Sequence, residues 1–124
     1  DYGLFTAVQK AAVTAFTMDE SAYIEKVRAT YQRRRDVFVE GMNSLGWNIE
    51  KPKGSMYVWF PVPKGYDSTE FCFKLAEKTG VVVSPGIAFG DLGEGYVRSA
   101  LVVDEARIRE AIDRLKKAGI KYNG

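Results

Sequence analysis

Residues 80–101 read G-V-V-V-S-P-G-I-A-F-G-D-L-G-E-G-Y-V-R-S-A-L. A short β-branched run leads into a glycine-rich loop, and a second apolar run follows with one arginine, Arg98, inside it. Side chains alternate along a strand, so Tyr96, Arg98, Ala100 and Val102 share one face. A guanidinium stays charged in a protein, and taking it out of water without a counter-charge costs several kcal/mol or more. Arg98 therefore needs an anion. From the residues alone two sources stand open: an internal carboxylate such as Asp91 or Glu94, or a ligand.

The glycines at 86, 90, 93 and 95 invite comparison with a phosphate-binding loop, but the pattern argues against it. No G-K-[ST] follows, the next element is a strand rather than a helix, and Asp91 and Glu94 repel phosphate. Glycine here serves tight turning and close backbone approach, with Pro85-Gly86 as a turn dipeptide.

Composition narrows the classes. A chain of 124 residues with 46% hydrophobic and 27% charged residues holds one domain with a real core. A net charge of +2 is too small to argue for nucleic acid or an acidic membrane surface. No apolar run reaches the length of a membrane span. With no histidine, Ser-His-Asp and Cys-His catalysis are removed, and zinc loses its commonest nitrogen ligand. The single cysteine, Cys72, excludes an internal disulfide and fits a reducing compartment. It lies on an apolar helix face, which predicts a packed, inert thiol.

Periodicity then places the elements. Residues 3–17 carry Leu4, Phe5, Val8, Ala11, Ala12, Ala15 and Phe16 at helical spacing, which predicts a buried or half-buried helix. A longer helix starts at a cap, Asp19 or Ser21, and runs to about Leu45 before Gly46. Its Arg33, Arg34 and Arg35 have Glu25, Asp36 and Glu40 within helical reach and read as a solvated or salt-bridged face. Trp47 to Glu50 alternates like an edge strand. Residues 55–60 read as a strand apolar on both faces, hence covered at least in part on both. Asp67-Ser68-Thr69-Glu70 is a capping box for a helix that Gly80 closes. Val81 to Val83 and Tyr96 to Val103 are expected strands, and Asp104 caps a last helix with Ile108, Ala111, Ile112 and Leu115 on one stripe. The expected fold is α+β: a small, mostly antiparallel sheet with helices packed on it and a long helix leading in.

The same residues resemble the C-terminal region of class I/II aminotransferases, the fold-type I enzymes that use pyridoxal phosphate. The likeness covers essentially the whole chain. It is sharpest at Val82-Val83-Ser84-Pro85-Gly86, at Phe89-Gly90, and from Gly93 through Arg98-Ser99-Ala100-Leu101. Tyr31, Arg34, Arg35 and Asp36 resemble the family's Y-x-x-RRD segment, and residues 54–60 its aromatic strand. Residues 57–66 most resemble LL-diaminopimelate and related aspartate-type aminotransferases.

The resemblance implies that Arg98 holds the substrate's α-carboxylate while an amino group passes between an amino acid and a 2-oxo acid. It implies a homodimeric, cytoplasmic parent enzyme of amino-acid biosynthesis. It also implies that residues 1–18 connect from a missing large domain and residues 19–124 form the small domain. The family's Schiff-base lysine lies in an S-x-x-K segment, and none occurs here. The other cofactor-holding residues belong to upstream segments, so no catalytic, cofactor-binding or metal-binding residue is expected in this chain. The chain alone is expected to be inactive and to bind no pyridoxal phosphate. A self-standing α+β module that binds a small ligand or regulates is the alternative.

Overall fold

A computed structural model of the chain describes residues 3–123. The chain falls into two compact units, Asp1–Thr30 and Tyr31–Gly124. In the first, α1 (Thr6–Thr17) is followed by the start of α2 (Ser21–Ser44). The backbone amide of Ser21 donates to Asp19 Oδ1 at 3.1 Å, so Asp19 serves the start of α2. The helix predicted for α1 is present, but its predicted burial is not. No residue of α1 is buried; Phe5 is 76% and Phe16 90% exposed. The periodicity that specifies an apolar face does not specify what covers it, and none of the described residues of this unit buries it.

The second unit is a three-stranded antiparallel sheet in the order β1-β3-β2, with α3 (Ser68–Thr79), α4 (Glu105–Lys117) and the later turns of α2. The strands are β1 (Tyr57–Pro61), β2 (Ser84–Pro85) and β3 (Tyr96–Ala100). Central β3 pairs Phe60 with Val97, Trp59 with Arg98 and Tyr57 with Ala100 on one side, and Ser84 with Arg98 on the other. The inward face contributes Val58, Phe60 and Val97, which meet Phe38, Val39 and Met42 of α2, Phe71 and Leu75 of α3, and Ile108, Ile112 and Leu115 of α4 in one core. Burying each such side chain contributes about 1.5–3 kcal/mol. Phe60 packs on Phe38 and on the edge of Trp47, at centroid distances of 5.7 and 6.1 Å.

Three expectations are corrected. Residues 47–50 are not a strand, although Trp47 and Ile49 are core residues. The Asn43 side chain accepts from Ile49 N at 2.8 Å and donates to Ile49 O at 3.1 Å, so it satisfies the backbone groups that a ladder would use. Val81 to Val83 are irregular; Val82 is 82% exposed, and pairing with β3 begins only at Ser84. The outer face of β1 is covered in part, as expected: Tyr57 and Pro61 are half-buried, and Trp59, 41% exposed, packs on Phe89. β3 also stops at Ala100, short of the expected Val103.

The loop from β2 to β3 turns through two short 3₁₀ turns, Gly86–Phe89 and Asp91–Gly93. Gly86 and Gly93 meet backbone to backbone: a Cβ on either would fall onto the carbonyl of the other. The loop is anchored to the start of α3. Glu94 Oε1 accepts from the backbone amides of Ser68 at 2.8 Å and Gly95 at 2.7 Å, and Glu94 Oε2 accepts from the Ser68 hydroxyl at 3.0 Å. These donors hold the Glu94 carboxyl below the usual carboxylate range. The predicted capping box is also present: Asp67 Oδ1 accepts from Glu70 N at 2.8 Å and Glu70 Oε2 from Asp67 N at 3.3 Å. Gly80 ends the helix at φ +68°.

These contacts set three outcomes. Asp67→Ala costs about 1 kcal/mol, read as a lower urea midpoint at unchanged m-value. Gly86→Ala lowers the thermal midpoint further than Asp67→Ala, because the added methyl meets backbone that cannot turn aside. Because the folded-state pKa of Glu94 is depressed, the stability it supplies is present above its free value. That stability is lost as pH falls through the folded value. Urea midpoints measured from pH 7 to pH 3 should therefore fall less steeply in Glu94→Gln than in the unaltered chain.

Candidate functional site

Strand alternation decides which residues reach the outer face of the sheet. With Val97 fully buried inward, Arg98 points outward from the central strand, beside Trp59 of β1 and Ser84 of β2. Its guanidinium Cζ lies 4.1 Å from the Tyr57 ring centroid and 4.0 Å from that of Phe89. Phe89 is in turn held edge-on by Trp59, at 5.4 Å and 70°. The loop brings Phe89 there, and the Glu94 anchor holds the loop.

Of the internal carboxylates left open by the sequence, Glu94 is engaged elsewhere, and Asp91 is exposed and forms no ion pair with Arg98. Glu94 is turned to the start of α3, and no ion pair joins Arg98 to a carboxylate among the described residues. The α3 N-terminus, where a phosphate loop would hold its anion, is occupied by the protein's own carboxylate.

Several other charges are paired within the chain. Arg33 Nε pairs with Glu105 at 3.1 Å and Arg35 with Asp36 at 2.8 Å. Arg34 Nη1 donates to the Leu101 carbonyl at 3.0 Å and its guanidinium lies 5.6 Å from the Tyr31 ring. Lys51 bridges Asp36 and Glu40 at 3.3 and 3.0 Å. The salt-bridged face expected of the triplet is met by Arg33, whose partner is Glu105 of α4, and by Arg35; Arg34 instead is half-buried and bound to a backbone carbonyl. Glu25 pairs with Arg28 instead. The Cys72 thiol is pushed up to about 11 by burial, as a packed and unreactive group requires.

The sequence singled out Arg98 but not the rings around it. Trp59 could have been found, since matching the buried faces of β1 and β3 sets it opposite Arg98. Phe89 carries no such signal, because a non-repeating loop delivers it. No helix among the described residues is long and apolar enough to cross a membrane.

Residues 2–115 match the family described as aminotransferase class I and II. The chain is 52% identical over 123 residues to LL-diaminopimelate aminotransferase 2 of Trichormus variabilis, covering 99% of this chain and 31% of that protein. It is 46% identical over 119 residues to the glutamate-pyruvate aminotransferase AlaC of Escherichia coli, covering 94% and 29%. Among solved structures, substrate-bound BacF of Bacillus subtilis superposes with a TM-score of 0.85 at 35% identity, over 98% of this chain and 31% of that one. An aminotransferase of Staphylococcus aureus does so with a TM-score of 0.84 at 32% identity, over 99% and 32%. The chain spans about a third of the length of the relatives it matches. Its α+β architecture, like its sequence, is that of an aminotransferase small domain, and the chain belongs to the class I and II aminotransferase family.

Proposed function

We propose that this chain is the small domain of a pyridoxal-phosphate-dependent aminotransferase and that Arg98 holds the substrate's α-carboxylate. The observation that carries the reading is a permanent cation on an open sheet face, flanked by rings, with no carboxylate paired to it among the described residues. A planar fork grips a carboxylate through two parallel N–H···O bonds, which fixes orientation as well as charge. That grip sets the direction in which the α-carbon faces.

Family membership implies pyridoxal phosphate in the full-length enzyme, where the bound group supplies an electron sink for the α-carbon. Two of this chain's amines are engaged away from Arg98. Lys51 is held between Asp36 and Glu40, which raises its pKa and keeps it charged. Lys74 lies against the ring and hydroxyl of Tyr66, and no strand carries a lysine beside Arg98. None of these residues is assigned a step in the cofactor's chemistry. In this reading residues 1–18 lead in from a large domain that carries the lysine. The parent is a cytoplasmic homodimer that transfers an amino group between an amino acid and a 2-oxo acid. The relatives named for LL-diaminopimelate favour a substrate bearing an α-carboxylate of that kind.

In the full-length parent, Arg98→Leu should lower kcat/KM for α-carboxylate substrates by roughly 100-fold or more, and Arg98→Lys should recover only part, since an ammonium lacks the fork. An unchanged kcat/KM removes the assignment. The chain by itself, mixed with pyridoxal phosphate, should develop no imine absorbance and turn over no amino acid; turnover would show that it carries the missing parts.

A further inference from the structure

We infer that Tyr57 and Phe89 are specificity-determining residues that restrict the Arg98 site to planar carboxylates and disfavour tetrahedral oxyanions. The inference rests on the reading of Arg98 as the carboxylate-binding group. Its observations are the two rings at 4.1 and 4.0 Å from the guanidinium carbon and the edge-on support of Phe89 by Trp59.

A guanidinium has two kinds of surface. Its N–H donors all lie in its plane and point outward from the rim, while its faces carry no donor. Here aromatic rings lie over the guanidinium, so an anion gains hydrogen bonds by approaching along the rim. A carboxylate does so with both oxygens in the plane of the fork. A phosphonate can also present two oxygens, but its third stands out of that plane. There it meets a ring whose face is the negative end of the aromatic quadrupole, and it loses water without gaining a donor.

The rings also hold the fork itself. A long arginine side chain loses considerable rotamer freedom when it binds, and packing between aromatic side chains removes part of that freedom beforehand. The three components are positioned by different elements. Tyr57 and Trp59 come from β1, Arg98 from β3, and Phe89 from the loop whose far end Glu94 ties to α3. Phe89 is 48% exposed, so the support it receives is lateral, from Trp59 and Arg98, and not from burial in the core. Replacing it therefore alters the site without opening a cavity in the fold.

The test uses the full-length parent and two probes in competition with substrate: L-glutamate, and its analogue with the α-carboxylate replaced by phosphonate. The unaltered enzyme should prefer the carboxylate probe. Phe89→Leu and Tyr57→Leu should each raise the KM for amino acid by roughly 5- to 30-fold. Each should also shrink the carboxylate-over-phosphonate preference at least about threefold, a change smaller than the loss of one cation–π contact allows. Phe89→Tyr keeps the ring and should keep the preference, and melting curves close to that of the unaltered enzyme confirm that each variant folds. Equal competition by the two probes in the unaltered enzyme, or by neither, overturns the inference. So does an unchanged preference in both leucine variants. If Arg98→Leu lowers kcat/KM while the ring variants leave the preference intact, the rings are not selective and the Arg98 assignment stands. If Arg98→Leu has no effect, both fall.

Discussion

One carboxylate holds the functional half of this domain together. Glu94 accepts from two backbone amides and a hydroxyl, and the donors come from two places far apart in the chain: the first turn of α3 and the entry to β3. A helix start leaves amides without partners and carries partial positive charge, so an anion there is favoured twice, by hydrogen bonds and by the dipole. Ser68 is wholly buried, so its amide and hydroxyl would lose water for nothing without Glu94. The Ser68 hydroxyl is also within 3.4 Å of Ile87 N, which joins the front of the loop to the same point. The loop is consequently held at both ends, and the side chain at its crest, Phe89, is delivered to Arg98.

Local chemistry was readable in the sequence wherever partners lie close together in the chain. The Asp67 capping box, the left-handed Gly80, the Asp104 cap accepting from Arg107 N at 2.9 Å, and the apolar stripe of α4 all follow from residues within a few positions of one another. Arg98 stood out because a fixed charge in an apolar strand is conspicuous on its own. The misses share a different cause. The backbone of Ile49 forgoes a strand because Asn43, six residues earlier, offers it an amide. Glu94 looked like a phosphate repeller or an arginine partner because its true partners begin 26 residues away. Residues 81–83 have the composition of a strand and no neighbour to pair with. Such outcomes depend on which segments meet, and periodicity is silent about that.

Several charges pair at the surface. Arg33 of α2 joins Glu105 of α4, Arg35–Asp36 and Arg114–Glu110 each lie within one helix, and each pair contributes at most about 1 kcal/mol. Among the described residues the charge of Arg98 has no such partner, and two aromatic rings pack against its guanidinium. A π face stabilises a cation without neutralising it. The arrangement keeps the full positive charge available while giving the side chain a defined place, which is the state the proposed carboxylate-binding role requires before a ligand arrives.

The contact of Gly86 with Gly93 has a consequence of its own. Where two segments touch through main chain alone, the spacing between them is set by atoms common to every residue, and no side chain of intermediate size can tune it. The distance from the helix that anchors the loop to the strand that carries the arginine is therefore quantised: it holds with glycine at both positions or it is lost. Sequence drift in the surrounding residues can recolour the surface of this domain without moving its charged centre, so, under the role proposed for Arg98, a lineage could explore new neighbours for the bound molecule while the grip on its acid end stays put.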